Sequence, residues 1–147
     1  MINDLMNIVR QIENKTDDQE SFLAFLQERA DHQKEMRQKV SSAEYIDWLY
    51  NYVSSNRFAD DESALYTYQG VDSENGQILS WFVGYLKELA RSQGVPVVIE
   101  DNSPFGEEKV VVKIRDKFFQ AFTMYGQGSW SGVGLLDKEP EEGYILL

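Results

Sequence analysis

The feature that most constrains this chain is a change of hydrophobic period at Gly94-Val95-Pro96. Before it, apolar residues recur at the three- and four-residue spacing of helices; after it they fall in short, β-branched runs separated by turn residues. Gly94 can take the positive φ that closes a helix, and Pro96 has no amide hydrogen with which to continue one. A helical two thirds followed by a strand-rich third predicts an α+β fold. Its N-terminal helices should pack on one face of a C-terminal antiparallel sheet of about four to five strands. With 147 residues, 42% hydrophobic and 13% aromatic, the chain has the material for a well-buried core. A single domain over residues 1–147 is expected, mainly helical over 1–94 and strand-rich over 95–147.

Leu5, Ile8, Val9 and Ile12 predict a first helix with Asn3 as its cap. Thr16, Asp17 or Asp18 caps a second, whose first turns carry Phe22, Leu23, Phe25 and Leu26. Beyond them only Ala30, Met36 and Val40 interrupt a polar run. A helix unbroken to Val40 would be on the order of 35 Å long. Its second half should project into solvent or meet another chain, which makes a homodimer through the Asp17–Val40 helix one expected association. Ser42 caps a third helix, in which Ile46, Leu49 and Val53 form one stripe and Tyr45, Trp48 and Tyr52 another. Residues 56–69 read as a short helix or an extended connector. Asp72 or Ser73 opens the best-patterned helix, built on Ile78, Phe82, Tyr85, Leu86 and Leu89. Strands are expected over 97–99, 109–115, 118–125, 130–136 and 143–147, with a turn at Asp116-Lys117.

Charge decides more about partners than about fold. The chain has 14 Lys and Arg against 25 Asp and Glu, a net charge of -11. Such a surface repels phosphate and gains nothing from counterion release, so neither nucleic acid nor an anionic membrane is an expected direct partner. No run approaches the roughly 20 apolar residues of a membrane span. The first residues lack the basic and apolar regions of a secretory leader, and there is no cysteine to require an oxidising compartment. A cytoplasmic location is the expectation.

The ingredients of most catalytic sites are missing. His32 is the single histidine, so a serine triad or a zinc site built on histidines has too few parts, and its polar neighbours Asp31 and Gln33 suit a solvated side chain. Asp72-Ser73-Glu74-Asn75-Gly76 fails as a calcium loop: its glycine falls one position early, and the terminal ligand position is Val83. The glycines of Gly126-Gln127-Gly128 lack the lysine and the following helix of a phosphate loop. Lys109, Lys113, Arg115 and Lys117 lie beside Phe118, Phe119, Phe122 and Tyr125. A sheet with one face on helices and a charged face in water accounts for them better than single-strand binding does. No metal, cofactor or catalytic pair is expected.

What stands out is acid combined with aromatic residues. Asp47, Tyr50, Asp60, Asp61, Glu62, Tyr66, Tyr68, Asp72 and Glu74 are the candidate partner-binding residues. Tyrosines bury area at little rotamer cost, and carboxylates suit a basic groove. The competing reading is that the aromatics fill the core between helices. The Asp60-Asp61-Glu62 cluster near tyrosines and the run from Val110-Val111-Val112 through Asp116-Lys117-Phe118-Phe119 resemble small acidic accessory proteins of Gram-positive phages and mobile elements. That resemblance implies a class containing anti-CRISPR and anti-restriction inhibitors, some of them acidic mimics of DNA. The expected function is a non-enzymatic module that binds a basic, nucleic-acid-binding protein, with a homo-oligomeric structural protein as the alternative.

Overall fold

The computed structural model describes residues 1–55, 64–68, 74–100, 106–126, 128–141 and 143–147. Its elements are α1 (Ile2–Arg10), α2 (Asp17–Val40), α3 (Ala43–Ser55), β1 (Ala64–Tyr68), α4 (Glu74–Gln93), β2 (Val98–Glu100), β3 (Glu107–Ile114), β4 (Lys117–Gly126), β5 (Gly128–Leu136) and β6 (Ile145–Leu146). The fold is α+β, and the chain divides into two compact units, Met1–Lys39 and Val40–Leu147.

The first unit is a helical hairpin. Met1 occupies the N-cap of α1 without a side-chain bond, so Asn3, the expected cap, lies inside the helix. The start of α2 is closed reciprocally: Gln19 N–H donates to Thr16 Oγ1 at 3.2 Å, and Thr16 N–H donates to Gln19 Oε1 at 3.0 Å. Acids at Asp17, Asp18 and Glu20 and bases at Arg37 and Lys39 match the helix dipole at its two ends. These local signals let α2 run 24 residues although its apolar content is low. Met6, Val9 and Leu26 form the small buried core of the hairpin, with Ile2, Ile12, Leu23 and Ala30 packed around them. Lys15 crosses back to donate to the carbonyls of Arg10 and Ile12 at 3.1 and 3.0 Å, closing the C-terminal end of α1.

The second unit is a sheet of order β1-β5-β4-β3-β2, with β6 also paired to β3. All pairings are antiparallel except β3 with β6. The segments β2 and β6 share one side of β3: Val98 to Glu100 face Lys109 to Glu107, and Ile145 and Leu146 face Val112 and Lys113. Residues 64–68, within the stretch expected as a short helix or an extended connector, form an edge strand in register from Ala64↔Leu136 to Tyr68↔Gly132. Leu-Tyr-Thr-Tyr favours a pleated surface, and the deciding contact is a partner more than sixty residues away.

Helix α4 packs against β3, β4, β5 and β6, and α3 against β1 and β5. The face they cover follows strand alternation: Val110, Val112 and Ile114 on β3, Phe119 and Ala121 on β4, Val133 and Leu135 on β5, all buried. Leu49 and Val53 from α3 and Phe82, Val83 and Leu86 from α4 complete this core. The end of α4 is set by Gly94 at φ +70, where Val95 N–H reaches Ala90 O at 2.8 Å and Gly94 N–H reaches Arg91 O at 3.4 Å. This paired closure caps carbonyls that the helix leaves open, and glycine adopts the backbone angle with no Cβ to strain it.

On the other face, Lys109, Phe122 and Gly132 form one cross-strand row and Lys113, Phe118 and Leu136 another. The Phe122 ring lies across Gly132, where an added Cβ would collide with it, and Phe122 is thereby buried although it points away from the helices.

Candidate partner-binding surface

Two of the candidate residues, Asp47 and Tyr50, sit one helical turn apart on α3, so their side chains share a face. The β3–β4 turn docks onto that face. Ile114 pairs with Lys117, leaving Arg115-Asp116 as a two-residue turn in which Arg115 takes φ 58, a backbone disfavoured for a residue with a Cβ. The Arg115 guanidinium pairs with the Asp47 carboxylate and lies 4.8 Å from the centre of the Tyr50 ring. Lys117 Nζ lies 5.0 Å from the same ring, so the tyrosine is contacted by two cations. Its hydroxyl donates to Asp116 Oδ1 at 2.6 Å, and its ring meets that of Phe119 at 5.8 Å.

Each shift at this cluster has a named cause. The hydrogen bond from Tyr50 holds the Asp116 carboxyl below its ordinary range, helped by a backbone hydrogen bond and the charges of Lys117 and Arg115. The same bond to Asp116 raises the Tyr50 hydroxyl. Because the folded Asp116 value is depressed, its contribution to stability is present above the ordinary aspartate range and lost as pH falls through the folded value. Replacing Tyr50 with Phe is expected to move the Asp116 titration back toward that range. Carboxyl-carbon NMR of the two proteins measures it, and an unmoved midpoint would show that the hydroxyl does not govern Asp116.

Asp60, Asp61, Glu62 and Asp72 lie outside the described residues. Tyr66 and Tyr68 are on β1, in register with Gly134 and Gly132, and Glu74 is the first residue of α4. The backbone therefore places the two tyrosines beside the glycine-containing rows of β5, and Asp47 and Tyr50 on α3.

A second charged cluster joins helix to sheet. Lys87 on α4 donates to Thr123 Oγ1 at 2.8 Å and lies 3.6 Å from Glu108 Oε2, with its side chain 12% exposed. Glu108 and Thr123 are register partners on β3 and β4, and Ser131, the partner of Thr123 on β5, is buried beside them. Burial lowers the Lys87 amine from its ordinary value, opposed by the charge and hydrogen bond of Glu108. The result is a polar bridge at one end of an otherwise apolar interface. Sequence reading missed it because Lys87, Glu108 and Thr123 come from three separate elements.

Five cations of the second unit are turned onto the protein itself. Lys87 pairs with Glu108, Lys109 with Glu107 at 3.8 Å, and Arg115 with Asp47; Lys113 lies over the Phe118 ring at 5.5 Å, and Lys117 over Tyr50. Glu44, Glu88, Asp137, Glu139 and Glu141 are exposed to solvent. Among the described residues no group of three His, Cys, Asp or Glu side chains is arranged to hold a metal ion. Nor is any helix among them long and apolar enough to cross a membrane. No family model matches the chain, and no curated protein or solved structure shows significant similarity to it.

Proposed function

We propose that this protein is a non-enzymatic acidic binding module whose partner is a basic, nucleic-acid-binding protein, on which it acts as an inhibitor in the manner of a DNA mimic. The observation that carries this reading is the disposal of positive charge: five cations of the second unit are engaged by the chain's own carboxylates and aromatic rings. With those cations held in place by the chain's own groups, the excess of 25 Asp and Glu over 14 Lys and Arg favours a groove lined by Lys and Arg. The solitary His32, exposed on α2, supports the non-enzymatic part. In this reading Asp60, Asp61, Glu62, Tyr66, Tyr68, Asp72 and Glu74 contribute to the contact, and Asp47 and Tyr50 contribute together with the β3–β4 turn that engages them.

The test is retention of basic proteins from a lysate on the immobilised chain, eluted with salt and, separately, with duplex DNA. Retention should fall steeply as ionic strength shortens the screening length below about 8 Å, and DNA should displace the same protein. Changing Asp60, Asp61 and Glu62 to Asn, Asn and Gln should chiefly slow association with it. A bound protein whose affinity is indifferent to salt, or which DNA does not displace, refutes the mimic.

A further inference from the structure

The hairpin leaves apolar side chains that it does not bury itself. Leu5 and Ile8 on α1 are 39% and 62% exposed, and Phe22 and Phe25 on α2 are 42% and 52% exposed. Their positions are related. At about 100° per residue, Arg10 of α1 and Gln27 of α2 project to one flank of the core-facing stripes, and they meet there, Arg10 Nη2 donating to Gln27 Oε1 at 2.9 Å. By the same rotation Leu5 and Ile8 project to the opposite flank of α1, and Phe22 and Phe25 to the opposite flank of α2. In an antiparallel hairpin these two flanks form one face.

The stripe on α2 is also self-complementary. Asp18, Phe22, Phe25 and Arg29 follow a four-three-four spacing, so they line one side of the helix, and the Arg29 guanidinium lies 5.6 Å from the centre of the Phe25 ring. Reversing the helix about a point between Phe22 and Phe25 exchanges the two phenylalanines and exchanges Asp18 with Arg29. We propose that two copies of the chain associate through this face, with α2 antiparallel to its counterpart, Phe22 against the other copy's Phe25, and Asp18 paired with the other copy's Arg29.

Size, area and charge all favour a second copy as the occupant. A unit spanning Met1–Lys39 with a core of Met6, Val9 and Leu26 is at the size where small folds need disulfides, metal or association. The four exposed side chains offer roughly 400 Å² of apolar area per copy, at the scale of functional patches. Doubled, and joined by the stems of Asp18 and Arg29, this approaches the roughly 1,000 Å² that a specific interface needs. Residues 1–39 also carry eight acids and six bases, so the proposed contact lies in the part of the chain with the least net charge. Two copies meet there with little repulsion, and their symmetric pairing makes the contact closed.

Sedimentation equilibrium of the full chain tests the proposal. The wild type should be dimeric, and Phe25→Glu or Ile8→Glu should make it monomeric with an unchanged helical circular dichroism signal, since neither residue belongs to the buried core. Asp18→Arg and Arg29→Asp should each weaken the dimer about tenfold, because each turns two symmetry-related attractions into repulsions. The double variant Asp18→Arg/Arg29→Asp should recover affinity to within about threefold of wild type, restoring opposite charges in exchanged places. Lys34→Glu, on the far side of α2, should leave the dimer intact. The proposal is overturned by a monomer at about 100 µM, by a dimer indifferent to Phe25→Glu, or by single charge reversals that the double variant does not rescue.

Discussion

Phe82→Ala is expected to destabilise the protein by about 3–5 kcal/mol, the range for removing a phenyl ring from a core that cannot collapse around the gap. Phe82 is fully buried on α4, with its ring 5.4 Å from that of Tyr45 on α3. Val83 and Leu86 beside it and Phe119 and Val133 on the sheet are equally inaccessible. The void would thus open where two helices and a sheet meet, and none of the three can shift without disturbing the others. Burial holds the Tyr45 hydroxyl well above its ordinary value, so no ionisation there offsets the loss at neutral pH. Urea unfolding followed by circular dichroism measures the effect. A midpoint equal to wild type would show that Phe82 is not a core residue.

Lys87→Met is expected to cost about 1–3 kcal/mol, because it takes a charge-assisted donor from the Thr123 hydroxyl and a countercharge from Glu108 at a partly buried interface. The lowered Lys87 value shows that desolvation already outweighs the attraction of Glu108. Lys87→Met/Glu108→Gln should therefore cost less than the sum of the two single changes, since removing both charges also removes the penalty of burying them. The pH dependence has a definite sign. Between the depressed folded value and the ordinary lysine value, the unfolded chain binds more protons, so stability contributed by Lys87 rises with pH across that window. The single variant should lack this rise. Denaturant titrations of all four proteins at several alkaline pH values would measure both the coupling and its slope. Additive losses would show that Lys87 and Glu108 act independently.

The elements that sequence reading located are those whose signal is local. Ile78, Phe82 and Leu86 recur on one side of α4, Val110, Val112 and Ile114 alternate along β3, and Gly94 closes its helix by a backbone angle open to few other residues. The cap of α2 was half legible: Thr16 was named, but Gln19, which completes the reciprocal bond, was not. Where the signal is non-local, reading stopped short. The strand β1 is decided by β5, and nothing within residues 64–68 names that partner. The turn that engages Asp47 and Tyr50, Arg115 to Lys117, lies more than sixty residues further along, and no local pattern names it. Charge and aromatic content identify which groups seek a partner; only the fold decides whether the partner is already present in the same chain.

The strand order carries a consequence for the sequence of events in folding. Strands β3, β4 and β5 are consecutive, and β3 and β4 are joined by a two-residue turn, so their pairing closes short loops. The β1–β5 pairing joins Ala64 to Leu136 and encloses α4 and the whole meander between its ends. That closure yields few contacts until β5 is already held by β4, so the edge strand joins a sheet formed without it. Nucleation is then expected in the meander, with the register of β1 set by β5 rather than by its own short sequence.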